Sequence, residues 1–270
     1  MSLNPVLVSV APNGARKTKA DLPNLPITPT ELAAEAKACA EAGAILFHAH
    51  VREDDQRHSL DPARYAKAFE AIRAEVGDAL ILQASTETVG IYEPSDQIHL
   101  LKTLQPEAAS IGIRELIPDP SFNAQAQAFL AWAFDTGIHI QFICYSKEDV
   151  HYYAQLCLDG VIPEHSVHFL LFVLGKKTGT FAQVQDLDPF LEALSSFPFE
   201  VVWAVCAFGP LELDCMLNAV HHGGHVRIGF ENNHQLADGS VAPSTAALVT
   251  QFKQALANPL ASLSDFGSWF

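Results

Sequence analysis

Apolar runs of four to eight residues alternate along this chain with segments whose apolar positions recur at three- and four-residue spacing. The runs fall at Val6–Val10, Ala44–His50, Leu80–Ser85, Ala108–Ile113, Ile138–Tyr145, Val167–Leu174, Val201–Ala207 and His225–Phe230. They are rich in Val, Ile, Leu and Phe, as strands buried on both faces should be. The periodic segments, Thr30–Ala42, Ala63–Val76, Ser95–Leu104, Asn123–Thr136, Lys147–Asp159, Asp188–Ser195, Leu211–His222 and Ser244–Ala257, read as helices. Gly43 follows the first of them as a normal stop. Strand then helix, repeated through the chain without a low-complexity linker, predicts an α/β protein with a (β/α)8 TIM barrel formed by one domain over residues 1–270. An open doubly wound sheet competes less well, because the turn after the first strand reads Ala11-Pro12-Asn13-Gly14 rather than GxGxxG. The tail Ser262–Phe270 carries Phe266, Trp269 and Phe270, and suits either docking on a neighbour or covering its own barrel.

With 270 residues, 49% of them hydrophobic, the chain can bury one large core. A net charge of −15 argues against nucleic acid and anionic membrane surfaces as partners. No apolar stretch approaches the ~20 residues of a membrane span, and residues 1–5 lack a signal layout, so a cytoplasmic protein is expected. The cysteines Cys39, Cys144, Cys157, Cys206 and Cys215 show no CxxC spacing and read as reduced, buried thiols.

In a barrel, chemistry collects at the carboxyl ends of the strands. The second strand ends His48-Ala49-His50-Val51-Arg52, and alternation points both imidazoles to one face with Cα atoms roughly 6.5–7 Å apart. Two imidazoles so placed can share a metal ion. A catalytic site of the zinc type wants about three protein ligands and an open position. Glu231, just past the last strand and beside the first, is the best third candidate, with His165, His168 and His234 in reserve, while His221, His222 and His225 flank Gly223-Gly224 and read as a helix end and loop. Asn13, Arg16, Arg52, Ser85, Glu87, Ser110, Gln141, Lys176, Lys177, Arg227 and Asn232 are further strand-end candidates. Ten of the sixteen lysines and arginines fall in or beside these segments, an arrangement suited to an anionic carboxylate or phosphate substrate. Ser85 has no nucleophile elbow around it, so a Ser-His-Asp hydrolase is poorly supported.

The segments APNGA (Ala11–Ala15), LPITPTELAAEA (Leu25–Ala36), FHAHVRE (Phe47–Glu53), PEAASIG (Pro106–Gly112) and VRIGFENN (Val226–Asn233) together resemble the β-keto acid cleavage enzymes, the family related to 3-keto-5-aminohexanoate cleavage enzyme. The resemblance implies a (β/α)8 barrel with a divalent metal, usually Zn2+, on His48, His50 and Glu231. It implies condensation of a β-keto acid with acetyl-CoA, giving acetoacetate and a new CoA thioester. Arg227 would work with a neighbouring acid to deprotonate the substrate, and Ser85 would bind it. A homodimer or homotetramer is expected on the same ground. Asn13, Arg16, Arg52, Ser110 and Gln141 would line the substrate, and Lys176 and Lys177 would hold CoA phosphates.

Three positions depart from the family pattern. Arg16 stands where a Glu is common, Gln141 where an acid is common, and Asn232 replaces an Asp. An amide accepts no proton near neutral pH, so Glu87 or metal-bound hydroxide would have to act as base. The same changes favour a neutral or acidic keto acid over an amine-bearing one. A zinc-dependent hydrolase or aldolase, or a non-catalytic metal- or ligand-binding barrel, are the competing readings.

Overall fold

The computed structural model describes residues 4–164, 167–175 and 179–269. Its strands are β1 (Val8–Val10), β2 (Leu46–Ala49), β3 (Val51–Arg52), β4 (His58–Ser59), β5 (Ile81–Ser85), β6 (Ala108–Gly112), β7 (His139–Cys144), β8 (His168–Leu174), β9 (Val201–Ala207) and β10 (His225–Ile228). Helices α1 (Pro29–Ala42), α2 (Pro62–Val76), α3 (Pro94–Leu104), α4 (Ile113–Leu116), α5 (Asn123–Asp135), α6 (Lys147–Leu158), α7 (Asp188–Ser195), α8 (Glu212–His221), α9 (Thr245–Ala255) and α10 (Leu263–Trp269) lie between and after them. All barrel pairings are parallel, and the sheet closes because β1 pairs with both β2 and β10. The expected TIM barrel is the fold observed.

Alternation along the strands sorts two cores. Val8, Phe47, Leu82, Phe142, Phe172 and Val205 face the helices in the larger cluster. Leu7, Phe169, Leu171, Val173, Ala204 and Cys206 form the smaller cluster inside the barrel. β8 and β9 contribute most of these, with Leu46 of β2 and Ile143 of β7 in the same cluster. Ser9, Gln83, Ser110 and Gln141, on β1, β5, β6 and β7, are buried instead as polar groups.

Two features were absent from the periodicity. A two-residue hairpin, β3 with β4, interrupts the loop after β2, pairing Val51 with Ser59 and Arg52 with His58. Strands that short carry no period to read. Helix α10 follows the last barrel helix, and its Phe266 is 3% exposed, packed in the interior cluster with its ring edge-on to His139 at 5.3 Å. Phe266 therefore covers the amino-terminal end of its own barrel. All five cysteines are free, four of them buried.

Candidate metal centre and active site

The site grows from strand register. His48 on β2 lies opposite Gln83 on β5, and its Nδ1 is 2.9 Å from Gln83 Oε1. An amide oxygen only accepts, so this bond holds the proton on Nδ1 and leaves Nε2 as a lone-pair donor. Gln83 in turn donates from Nε2 to Gln141 Oε1 at 3.4 Å, and Ser110 Oγ sits 3.4 Å from the same His48 Nδ1. Gln141 and Ser110 thus lie in the layer beneath the histidines.

His50 stands one residue beyond β2, where the sheet no longer fixes the backbone. Asn13 does so instead: its Oδ1 accepts from His50 N at 3.3 Å, and its Nδ2 donates to His50 O at 2.8 Å and Pro26 O at 3.1 Å. Arg52 is similarly engaged with backbone, donating to the carbonyls of Gly14, Lys17 and Gln56. Both side chains hold the β1–α1 loop against the β2 end.

Glu231 reaches the histidines because of two glycines. Gly229 has φ +151°, and a Cβ there would lie 2.3 Å from Ala11 O, so only glycine lets the chain leave β10 this close to β1. Gly14 has φ +63°, and its missing Cβ would meet Glu231 Cγ at 2.7 Å. In that space Glu231 Oε2 sits 3.3 Å from His50 Nε2 and 3.7 Å from His48 Nε2, and the two Nε2 atoms are 3.0 Å apart. Among the described residues, these three form the His/Cys/Asp/Glu group arranged to hold an ion.

The residues fit a metal on their own chemistry. Glu231 Oε2 is a buried oxygen without a hydrogen-bond partner, while Oε1 accepts from Arg227 Nη2 at 3.1 Å. A tetrahedral ion with ~2.0–2.1 Å bonds needs donor atoms about 3.3 Å apart, which these separations approach. Burial pushes the His50 pKa well down, so the ring is neutral, with Glu231 opposing the shift. Burial works against the Glu231 charge, yet the Arg227 guanidinium holds its pKa well below the usual carboxylate range. Two neutral imidazoles and one carboxylate suit a divalent ion of the zinc type. Of the reserve histidines, His168 bonds Tyr153 OH and His234 lines a neighbouring cleft, while His225 Nδ1 accepts from Leu7 N at the strand start. His165, Lys176 and Lys177 fall outside the described residues.

A cavity of about 10 Å³ opens on His48, His50 and Glu231 and is shared by Ser85, Glu87, Tyr145 and Arg227. Arg227 is 3% exposed and donates to Cys206 Sγ, Glu231 Oε1 and Asn232 Oδ1; the carboxylate and the thiol beside it raise its pKa despite burial. Glu87 Oε2 lies 4.0 Å from His50 Nδ1, and Glu87 Oε1 lies 3.8 Å from Arg16 Nη2. Past Phe208 and Glu231, both of which line this cavity too, a cleft of about 240 Å³ opens over Arg16, Lys17 and Asn232. The cationic rim read from the sequence is largely neutralised. Lys19 pairs with Glu31, Arg57 with Asp55, Arg114 with Asp149 and Lys147 with Glu192.

Sequence reasoning assigned no individual role to three contributors. Gln83 lies at a strand end, and its role comes from pairing with His48 across the sheet. Lys17 donates to Phe230 O at 2.6 Å and Glu231 O at 3.4 Å, pinning the backbone at Glu231. Glu212 at the start of α8 accepts from Gly229 N and Asn233 Nδ2 at 3.2 and 3.1 Å, and burial raises its pKa to about 8. An acid inside the predicted helix Leu211–His222, next to an apolar run, was the only available signal for it.

The β-keto acid cleavage enzyme family profile matches residues 5–261. The 3-keto-5-aminohexanoate cleavage enzyme of Acetoanaerobium sticklandii is 32% identical over 250 residues, covering 90% of this chain and 89% of its own. The 3-oxoadipate:acetyl-CoA acetyltransferase of Cupriavidus necator is 29% identical over 255 residues, covering 92% and 87%. Among solved structures, apo ObcA superposes with a TM-score of 0.73 at 17% identity, covering 92% of this chain. This chain spans 65% of the ObcA length, and the likeness is one of fold.

Proposed function

As this chain belongs to the β-keto acid cleavage enzyme family, we propose that it converts a 3-oxo acid and acetyl-CoA into acetoacetate and a new CoA thioester. The names of the curated relatives support acetyl-CoA as the second substrate. The observation that carries the reading is the meeting of His48, His50 and Glu231 with Arg227 and Glu87 at one cavity. In the net reaction the C2–C3 bond of the 3-oxo acid breaks and C2 bonds to the acetyl carbon. The acetyl–sulfur bond breaks, and the sulfur ends on the C3 acyl group, so no oxidant or reductant is required.

His48, His50 and Glu231 would hold a divalent ion, with zinc the first choice, and such an ion supplies a Lewis acid for the keto and carboxylate oxygens of the substrate. The remaining work belongs to side chains. Arg227 keeps a fixed positive charge beside the site, placed to stabilise negative charge that develops on substrate oxygen. Asn232 offers no proton acceptor, and Glu231 is committed to Arg227 and the histidines, which leaves Glu87 as the base that takes the C2 proton. Ser85, whose Oγ accepts from Glu87 N at 3.2 Å, fixes that base and faces the substrate in the same cavity. Five free cysteines support a reducing, cytoplasmic setting, and a homodimer or homotetramer would be read by light scattering.

The test is a panel of 3-oxo acids with metal-loaded protein, with and without acetyl-CoA, followed by mass spectrometry of acetoacetate and CoA esters. Product that requires acetyl-CoA, and that disappears with bound metal in His48→Ala, is the expected result. Consumption of the acid without acetyl-CoA would put a hydrolase or aldolase in its place. Bound metal with no turnover across the panel would leave the non-catalytic barrel.

A further inference from the structure

The cleft beyond Phe208 and Glu231 is where a 3-oxo acid seated at the metal ligands would extend its far end, because those two residues line both spaces. Arg16, Lys17 and Asn232 bring donors to its lining. Asn232 is 4% exposed; its Oδ1 is taken by Arg227 Nη2 at 3.3 Å, and its Nδ2 is a buried donor without a hydrogen-bond partner. That bond fixes the amide orientation, so the side chain presents N–H rather than oxygen to a ligand. Arg16 lines the same cleft with a side chain 59% exposed, and its nearest acid, Glu87, is 3.8 Å away. Lys17 also lines the cleft and donates to the backbone carbonyls of Phe230 and Glu231. The lining carboxylate, Glu231, gives Oε1 to Arg227 and keeps Oε2 beside His50 and His48. A buried orphan donor costs free energy until an acceptor fills it.

We propose that this cleft takes the distal carboxylate of a 3-oxo dicarboxylic acid, with Asn232 Nδ2 and Arg16 as its donors, so that the substrate class is a dianion rather than an ammonium-bearing keto acid. The inference rests on the cleavage reading above, but its specificity claim can fail separately. An ammonium group would face Arg16, Lys17 and an amide N–H together, and like charges at such a site are disfavoured.

The experiment compares 3-oxoadipate, 3-oxohexanoate and 3-keto-5-aminohexanoate with the metal-loaded protein, reading both binding by calorimetry without acetyl-CoA and kcat/KM with it. The expected result is a preference for 3-oxoadipate of at least ~10-fold in both, the size of a charge-assisted hydrogen bond. Arg16→Glu, on an exposed side chain, should erase that preference mainly through binding and KM. Asn232→Asp should do the same, with the six-carbon amino acid gaining relative to the diacid. Equal or weaker binding of 3-oxoadipate, or a preference unchanged in Arg16→Glu, overturns the inference even if acetoacetate is formed. Selective diacid binding without acetoacetate from any substrate would instead keep the cleft and overturn the reaction.

Discussion

At the residue scale the centre depends on side chains that never touch a metal. Gln83 holds the His48 proton on Nδ1, and such partners typically set 10–100-fold in metal affinity. Gln83→Leu should therefore weaken zinc binding by about that factor, read by competition with a chromophoric chelator, while the fold persists. Gly14 acts by being absent. A Cβ would sit 2.7 Å from Glu231 Cγ at a positive φ, so Gly14→Ala should cost ~1–3 kcal/mol of stability and displace a ligand, lowering metal content together with Tm. The sequence made His48, His50 and Glu231 legible, because alternation and barrel closure are local rules applied to a known topology. Gln83 and Gly14 were not legible as site residues, since their roles follow from pairing across 35 residues and from a contact across more than 200.

At the element scale, strands and helices followed the apolar pattern closely, and the exceptions were elements too short or too mixed to have one. The β3–β4 hairpin exists through cross-strand bonds and positions Arg52 and His58, whose Nε2 meets Glu87 O at 2.8 Å. Helix α10 closes the end of the barrel away from the ligands, so Phe266→Ala should remove roughly 3 kcal/mol of stability without changing metal content. Helix α8 ties the β10–α9 loop through Glu212. With a folded pKa raised by burial to about 8, Glu212 ionises more readily in the unfolded chain. Its contribution is thus most favourable below about pH 4.5 and is lost as pH rises toward 8, at up to ~1.4 kcal/mol per pH unit. Glu212→Gln should flatten the stability–pH curve between those limits in denaturant titrations; an unchanged slope would assign it elsewhere.

At the scale of the whole molecule, the −15 charge is a poor guide to the site, because four strand-end cations are paired at the surface while Arg16, Lys17 and Arg227 remain near the cavities. Closure of the sheet through β1 links the two histidines at the end of β2 to Glu231 after β10, so an ion held there should stabilise the barrel as a unit. Zinc at about 100 times its Kd adds ~2.7 kcal/mol, or roughly 5–10 °C in Tm for a chain of this size. Removing the metal with a chelator should reverse that shift, and His50→Ala should abolish it.

The most direct test of acetyl-CoA-dependent cleavage is the fate of carbon from acetyl-CoA labelled with 13C in its acetyl group. The cleavage reading predicts acetoacetate carrying both labelled carbons, at its methyl and keto positions, with an unlabelled acyl group on the new CoA thioester. Unlabelled acetoacetate, or loss of the keto acid at the same rate without acetyl-CoA, would contradict it.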